Sequence, residues 1–134
     1  MQNRPDGSTL LDAVATFLLS EVVPKLEADK ALQFRAMIAA NLSSIVASEL
    51  RTEDDRYAAE AQRLCALLPE IGQLLQLSSP RRSERMAAIA AMEAALAARL
   101  RTAGPDDAAL AHLWETAKQT LQVTNPRFDL SEEL

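Results

Sequence analysis

The chain has one cysteine, Cys65, so no intrachain disulfide can form. It has one histidine, His112, and with a single cysteine beside it no zinc site of ordinary spacing can be assembled. A paired Glu-x-x-His motif of the kind that holds two irons in helical bundles is absent for the same reason. Its three glycines are isolated at positions 7, 72 and 104, which excludes a glycine-rich phosphate loop. No Gly-x-Ser-x-Gly elbow occurs, and nothing beside Cys65 suggests the acid–base partner of a nucleophile. Aromatic residues are only 4% and β-branched residues are few, so strands lack the residues they favour. The longest apolar stretch, Met86 to Ala98, is too short to span a bilayer and is interrupted by Glu93. No basic leader with an apolar core precedes Ser8, so no signal peptide is expected and the cytoplasm is the default compartment.

What is present is alanine and leucine in a 134-residue chain that is 49% hydrophobic. Both residues favour helices, and this length buries enough surface to fold without metal or disulfide. The formal net charge of −5 repels phosphate backbones and anionic lipids, so neither nucleic acid nor a membrane surface is an expected partner.

The apolar pattern predicts an all-α fold, a single domain over 1–134, built as an up-and-down bundle of about five amphipathic helices. Residues 1–7 and 127–134 read as loose tails. Ser8 is the expected N-cap of the first helix, whose stripe is Leu10, Val14, Phe17 and Leu18; Pro24 should end or kink it near Val23. Asp29 caps a second helix with Phe34, Ile38, Asn41 and Ile45 on its inner face. Thr52 with Glu53, Asp54 and Asp55 marks a third start, or a kinked continuation, with Tyr57, Ala61, Leu64 and Leu68 inward. Pro69 to Leu77 reads as a short helix. Ser79-Pro80 starts a long one with Ile89, Met92, Leu96 and Leu100 as its stripe, ended by Gly104-Pro105. Asp106 caps the last helix, whose apolar face is Leu110, Leu113, Trp114, Ala117 and Leu121. His112 lies about 200° around that helix from Leu110 and is expected in solvent. Cys65, at the margin of a stripe, reads as a half-buried small hydrophobe.

Several polar residues stand out against this pattern. Asn41 sits within an apolar stripe, where a buried amide needs partners for all its hydrogen-bonding groups; it is either a core amide joining two helices or a ligand-facing amide in a pocket. Glu21 falls on the first helix's apolar face, and Arg35 shares a line with Leu42 and Glu49, so a Glu21–Arg35 pair across the interface is one reading and solvated helix ends the other. Arg81, Arg82 and Arg85 crowd a helix start, where cations oppose the dipole; they read as a solvated charge run or an anion patch. Ala87, Ala91, Ala94 and Ala98 make a flat face that suits a second copy, so a homodimer is a further expectation.

Three segments carry a resemblance. Leu10-Leu11 through Phe17-Leu18 and Glu21-Val22-Val23-Pro24 look like the opening helix of a known family. Phe34-Arg35 followed by Ala39-Ala40-Asn41 and Glu49-Leu50 resemble its second helix, and Asn125-Pro126-Arg127-Phe128 its closing motif. That family is a bacterial group of uncharacterised small helical domains encoded beside, or fused to, aminoglycoside-phosphotransferase-like kinases, with acyl-CoA dehydrogenases nearby. The resemblance implies a protein partner, a kinase-like phosphotransferase or an acyl-CoA dehydrogenase. It does not imply that this domain performs either reaction. The chain is therefore expected to be a non-catalytic accessory domain without cofactor. A small-ligand-binding or regulatory domain with Asn41, Arg35 and Glu21 around a polar pocket is the alternative. An enzyme in its own right would have only carboxylates and arginines to work with.

Overall fold

A computed structural model describes residues 4–73, 75 and 77–127. The fold is all-α, with five α-helices and no strand among the described residues. They are α1 (Gly7–Phe17), α2 (Lys30–Leu67), α3 (Pro69–Gly72), α4 (Arg82–Ala103) and α5 (Asp107–Thr124). No helix among these residues is long and apolar enough to cross a membrane. The described residues fall into two compact units, one of residues 4–53 and 122–127, the other of residues 54–121.

In the first unit, Asp6 rather than Ser8 caps α1, because its carboxylate accepts the Thr9 amide at 2.8 Å and the Ser8 hydroxyl at 2.8 Å. These donors hold the Asp6 carboxyl down at about 2, with the Thr9 backbone amide as the largest cause. Asp6 and Gly7 thus belong to the helix start and not to a loose arm. Pro24 acts as expected, though through widening rather than a clean break. A proline has no amide hydrogen and its ring collides with the carbonyl four residues earlier. The chain responds with a π-helical turn, Leu18–Val22, in which the Val23 amide bonds the Leu18 carbonyl, and then a 3-10 turn, Val23–Leu26. Asp29 caps α2 by accepting the Leu32 amide at 3.0 Å.

Three contacts align α1 antiparallel to the start of α2. Arg51 bonds Asp12, Leu50 lies beside Gly7, and the Gln33 amide donates to the Val23 carbonyl at 3.0 Å. The buried residues of this unit are small ones, Ser8 and Ala15 on α1 and Ala40 and Ala47 on α2, with Val123. Each helical pair is two turns apart, so each helix turns a line of small side chains inward. The larger apolar side chains flank that line. Leu10, Val14 and Phe17, and Phe34, Met37, Ile38 and Leu42, are therefore exposed, contrary to the inward stripes read from the sequence.

In the second unit the inward face of α2 is the expected one, Tyr57, Ala61, Leu64 and Leu68. Helix α2 runs through Thr52 without a break. Leu64, Met92 and Leu96 are fully buried and, with Leu68 and Ala109, form the core, against which Cys65 is half-buried. Gly72 is required where α3 meets this core. A Cβ there would stand 2.9 Å from Cys65 Sγ and 3.4 Å from Met92 Cε.

Pairings along the helices set their directions. Arg85 meets Asp54 and Arg99 donates to the Leu67 carbonyl at 2.8 Å, so α4 runs parallel to this part of α2. Connection 68–81 returns the chain to make this possible, and Tyr57 fastens it by donating to the Leu77 carbonyl at 2.7 Å. Glu93 meets His112 and Arg99 meets Asp106, so α4 and α5 are antiparallel, as their short connection favours. Arg81 is the cap residue of α4, while Ser79 receives the Arg81 amide at 3.2 Å just before it. Gly104, at φ 76° and ψ 169°, ends α4, and Asp106 caps α5 through the Ala109 amide at 2.8 Å.

Candidate functional site

The polar residues singled out by the sequence separate in space. Glu21, Arg35 and Glu49 are exposed, and no ion pair joins Glu21 to Arg35 among the described residues. Asn41 is also exposed, because Ala40 and Ala47 define the inward line of α2 and leave its neighbour outside.

The arginines at the start of α4 are occupied. Arg81 pairs with Glu84 at 3.1 Å. The largely buried Arg85 pairs with Asp54 at 3.1 Å, donates to the Ser79 and Pro80 carbonyls and lies 5.3 Å from the Tyr57 ring centroid. Arg82 is engaged as well. Arg81 and Arg85, which the sequence leaves at odds with the helix dipole, are answered by acids, one of them, Glu84, in the first turn itself. Burial raises the Tyr57 hydroxyl above its ordinary pKa, and the Arg85 cation partly offsets this.

Asn41 finds its place in an open cavity of about 520 Å³ in the first unit. Its apolar wall is Leu19, Met37, Ile38 and Pro126. Its polar wall is Asn41 and Ser44 from α2, with Thr124 and Asn125 from the end of α5. Arg127 is the only charged residue among the described lining residues. The cavity thus joins Asn41 to Asn125, Pro126 and Arg127, residues far apart in sequence; Phe128, the last residue of that motif, lies outside the described residues. The volume lies within the range of small-molecule sites, and a mixed wall of apolar and hydrogen-bonding groups is what such sites use.

A second polar arrangement was not foreseen. His112 is 2% exposed, not solvated. Its Nε2 lies 2.9 Å from Glu93 Oε1, and its Nδ1 accepts from Arg63 Nε at 3.3 Å. Arg63 also donates to Thr116 at 3.2 Å and Gln119 at 3.4 Å. Glu60 completes the group; burial, the neighbouring Glu93 charge and a hydrogen bond with Glu93 all raise its pKa. Glu60, Glu93 and His112 offer ligand atoms within 4.8 Å of one another, a spacing a metal ion would accept. The hydrogen bonds favour a different use. A ring whose Nδ1 accepts from a guanidinium carries its hydrogen on Nε2, where it is donated to Glu93, so neither ring nitrogen presents a free lone pair. The set is a hydrogen-bonded network that holds Glu60 against Glu93. Alongside it, Arg63, Leu67, Ala108, Ala111 and His112 line a shallower cavity of about 450 Å³.

One signal in the sequence does point to this network. Ala109, His112, Thr116, Gln119 and Val123 recur at three- and four-residue spacing, so they share a face of α5. It is the less apolar face, so apolar periodicity alone points to the opposite one. The structure leaves Leu110, Leu113 and Trp114 exposed instead.

Comparison with known proteins adds one match. No curated protein and no solved structure matches the chain. A family model described as a domain of unknown function, DUF6285, matches residues 24–128, a span that holds α2, the buried network and the polar wall of the Asn41 cavity. The chain belongs to this uncharacterised DUF6285 family.

Proposed function

We propose that this protein is a bacterial, cytoplasmic accessory domain that docks onto a protein partner through exposed apolar side chains of α1 and the first half of α2. The observation that carries this reading is the outward placement of Leu10, Val14 and Phe17 on one helix and Phe34, Met37 and Leu42 on the other, with Phe34 63% exposed. Covering a large apolar side chain fully is worth about 1.5–3 kcal/mol, so several half-exposed ones make a usable interface core. The family resemblance selects the partner to try first: a kinase-like phosphotransferase that works with an acyl-CoA dehydrogenase. A second copy is the competing occupant, since Ala87, Ala91, Ala94 and Ala98 also face outward on α4.

Co-purification of the tagged full chain with each of the two enzymes tests this. Stoichiometric capture that is lost in a folded Phe34→Asp, Leu42→Asp variant supports it. No capture of either enzyme by folded wild-type chain refutes the partner. A concentration-dependent mass in sedimentation equilibrium that is lost in the Phe34→Asp, Leu42→Asp variant would assign the face to a dimer.

The Asn41 cavity favours a second reading, a small-ligand-binding domain. Amides from Asn41 and Asn125 and a cation from Arg127 converge on one space that Leu19, Met37 and Ile38 line on the apolar side. Ligand binding and partner docking are compatible in one accessory domain.

A further inference from the structure

We propose that the Asn41 cavity binds a small amphipathic anion, a carboxylate or phosphate head carrying a short apolar tail. This rests on reading the cavity as a ligand site and names the class of ligand. The charge of the site decides the head group. Arg127 is the only charged residue among the described lining residues, and among the described residues no hydrogen bond or ion pair engages its guanidinium. An exposed, unpaired guanidinium beside neutral amides and hydroxyls presents donors to an anion. Asn41 and Asn125 each add an amide NH₂, and Ser44 adds a hydroxyl. Guanidinium geometry suits carboxylate and phosphate alike.

One feature opposes an anion. The cavity includes Thr124, the last residue of α5, and a helix C-terminus carries partial negative charge. At an exposed helix end that effect amounts to about a two- to fivefold change in affinity. An ion pair at an exposed guanidinium contributes up to about fivefold, and the Asn41, Asn125 and Ser44 donors add to it. The guanidinium and the neutral donors together outweigh the helix end.

The tail follows from the other wall. Leu19, Met37 and Ile38 are exposed on this wall, and Met37 is unbranched and adapts to irregular shapes. Each methylene that covers them is worth up to about fourfold in affinity until the wall is filled. A cavity of about 520 Å³ accommodates a chain of several carbons together with its head.

Titration of the ¹⁵N-labelled full chain with octanoate, octyl phosphate, octanol and octylammonium tests the proposal. Octanoate or octyl phosphate, or both, should shift the amides of Asn41, Ser44 and Asn125, and butyrate should bind more weakly than octanoate. Arg127→Gln should weaken the anions about two- to fivefold and leave octanol unchanged, with Arg127→Lys recovering part of the loss. Octylammonium binding as tightly as octanoate, or anion affinity unmoved by Arg127→Gln, overturns the anion assignment while the cavity remains a ligand site. Absence of shifts at Asn41 and Asn125 with all four compounds, or shifts confined to Leu10, Phe34 and Leu42, overturns the ligand site itself.

Discussion

Replacing His112 by alanine separates two readings of α5 that differ in sign and size. As a solvated residue on the polar side of the helix, His112 would be worth no more than about 0.5 kcal/mol either way. As placed, it is 2% exposed and joins Glu93 to Arg63. Truncation removes two hydrogen bonds to charged groups, each worth about 1.5–3 kcal/mol. Part of that is recovered, because Arg63 keeps Thr116 and Gln119 and the partly exposed Glu93 takes up water. Loss of a buried ring adds a packing cost of its own. The net expectation is about 2–4 kcal/mol, or a melting temperature lower by about 10 °C for a chain of this size. Urea denaturation followed by far-ultraviolet circular dichroism measures it, as a lower midpoint at unchanged slope. Leu113→Ala, on the exposed face beside it, serves as the control and should cost far less. A loss below about 0.5 kcal/mol for His112→Ala would show that α5 is rotated from the placement described above, and the network would fall with it.

Other perturbations probe the remaining parts. Glu60 has a folded-state pKa above its ordinary value of 4.5, so the folded state binds the extra proton; its contribution to stability should be fully present below that value and be lost as pH rises through the raised one. Glu60→Gln should flatten the decline, measured as denaturation midpoint between pH of about 4 and about 8. Gly104→Ala places a side chain at φ 76°, ψ 169°, a region reserved for glycine, with no atom within 4 Å of the new Cβ; a cost of about 1–3 kcal/mol from backbone strain alone is expected in urea denaturation. Gly72→Ala should cost about 1–3 kcal/mol by overpacking against Cys65, and Cys65→Ala in that background should restore part of it in the same assay. Phe34→Asp should leave the thermal midpoint nearly unchanged, because the side chain is already in water, while weakening partner capture in the co-purification assay.

The helices and most of their ends were legible because they depend on local chemistry. Alanine and leucine content, Asp29 and Asp106 as caps, Gly104 as terminator and Pro24 as disruptor act within a turn or two of themselves. The half of α2 whose large apolar residues do face inward, Tyr57, Ala61, Leu64 and Leu68, was legible for the same reason: hydrophobicity and burial agree there.

Where they disagree, only the tertiary structure decided. Ser8, Ala15, Ala40 and Ala47 are buried because small side chains let two helix backbones approach, which turns Phe34 and Leu42 outward; periodicity records the spacing of apolar residues but not how close a neighbouring helix comes. Similarly, His112 is buried because Glu93 and Arg63 arrive from other helices to satisfy it, and Asn41 shares a cavity with Arg127 only because two distant segments of the first unit come together there. Local sequence fixes which residues are helical, whereas the facing of each helix is a property of pairs, set by the partners that can compensate a buried polar group.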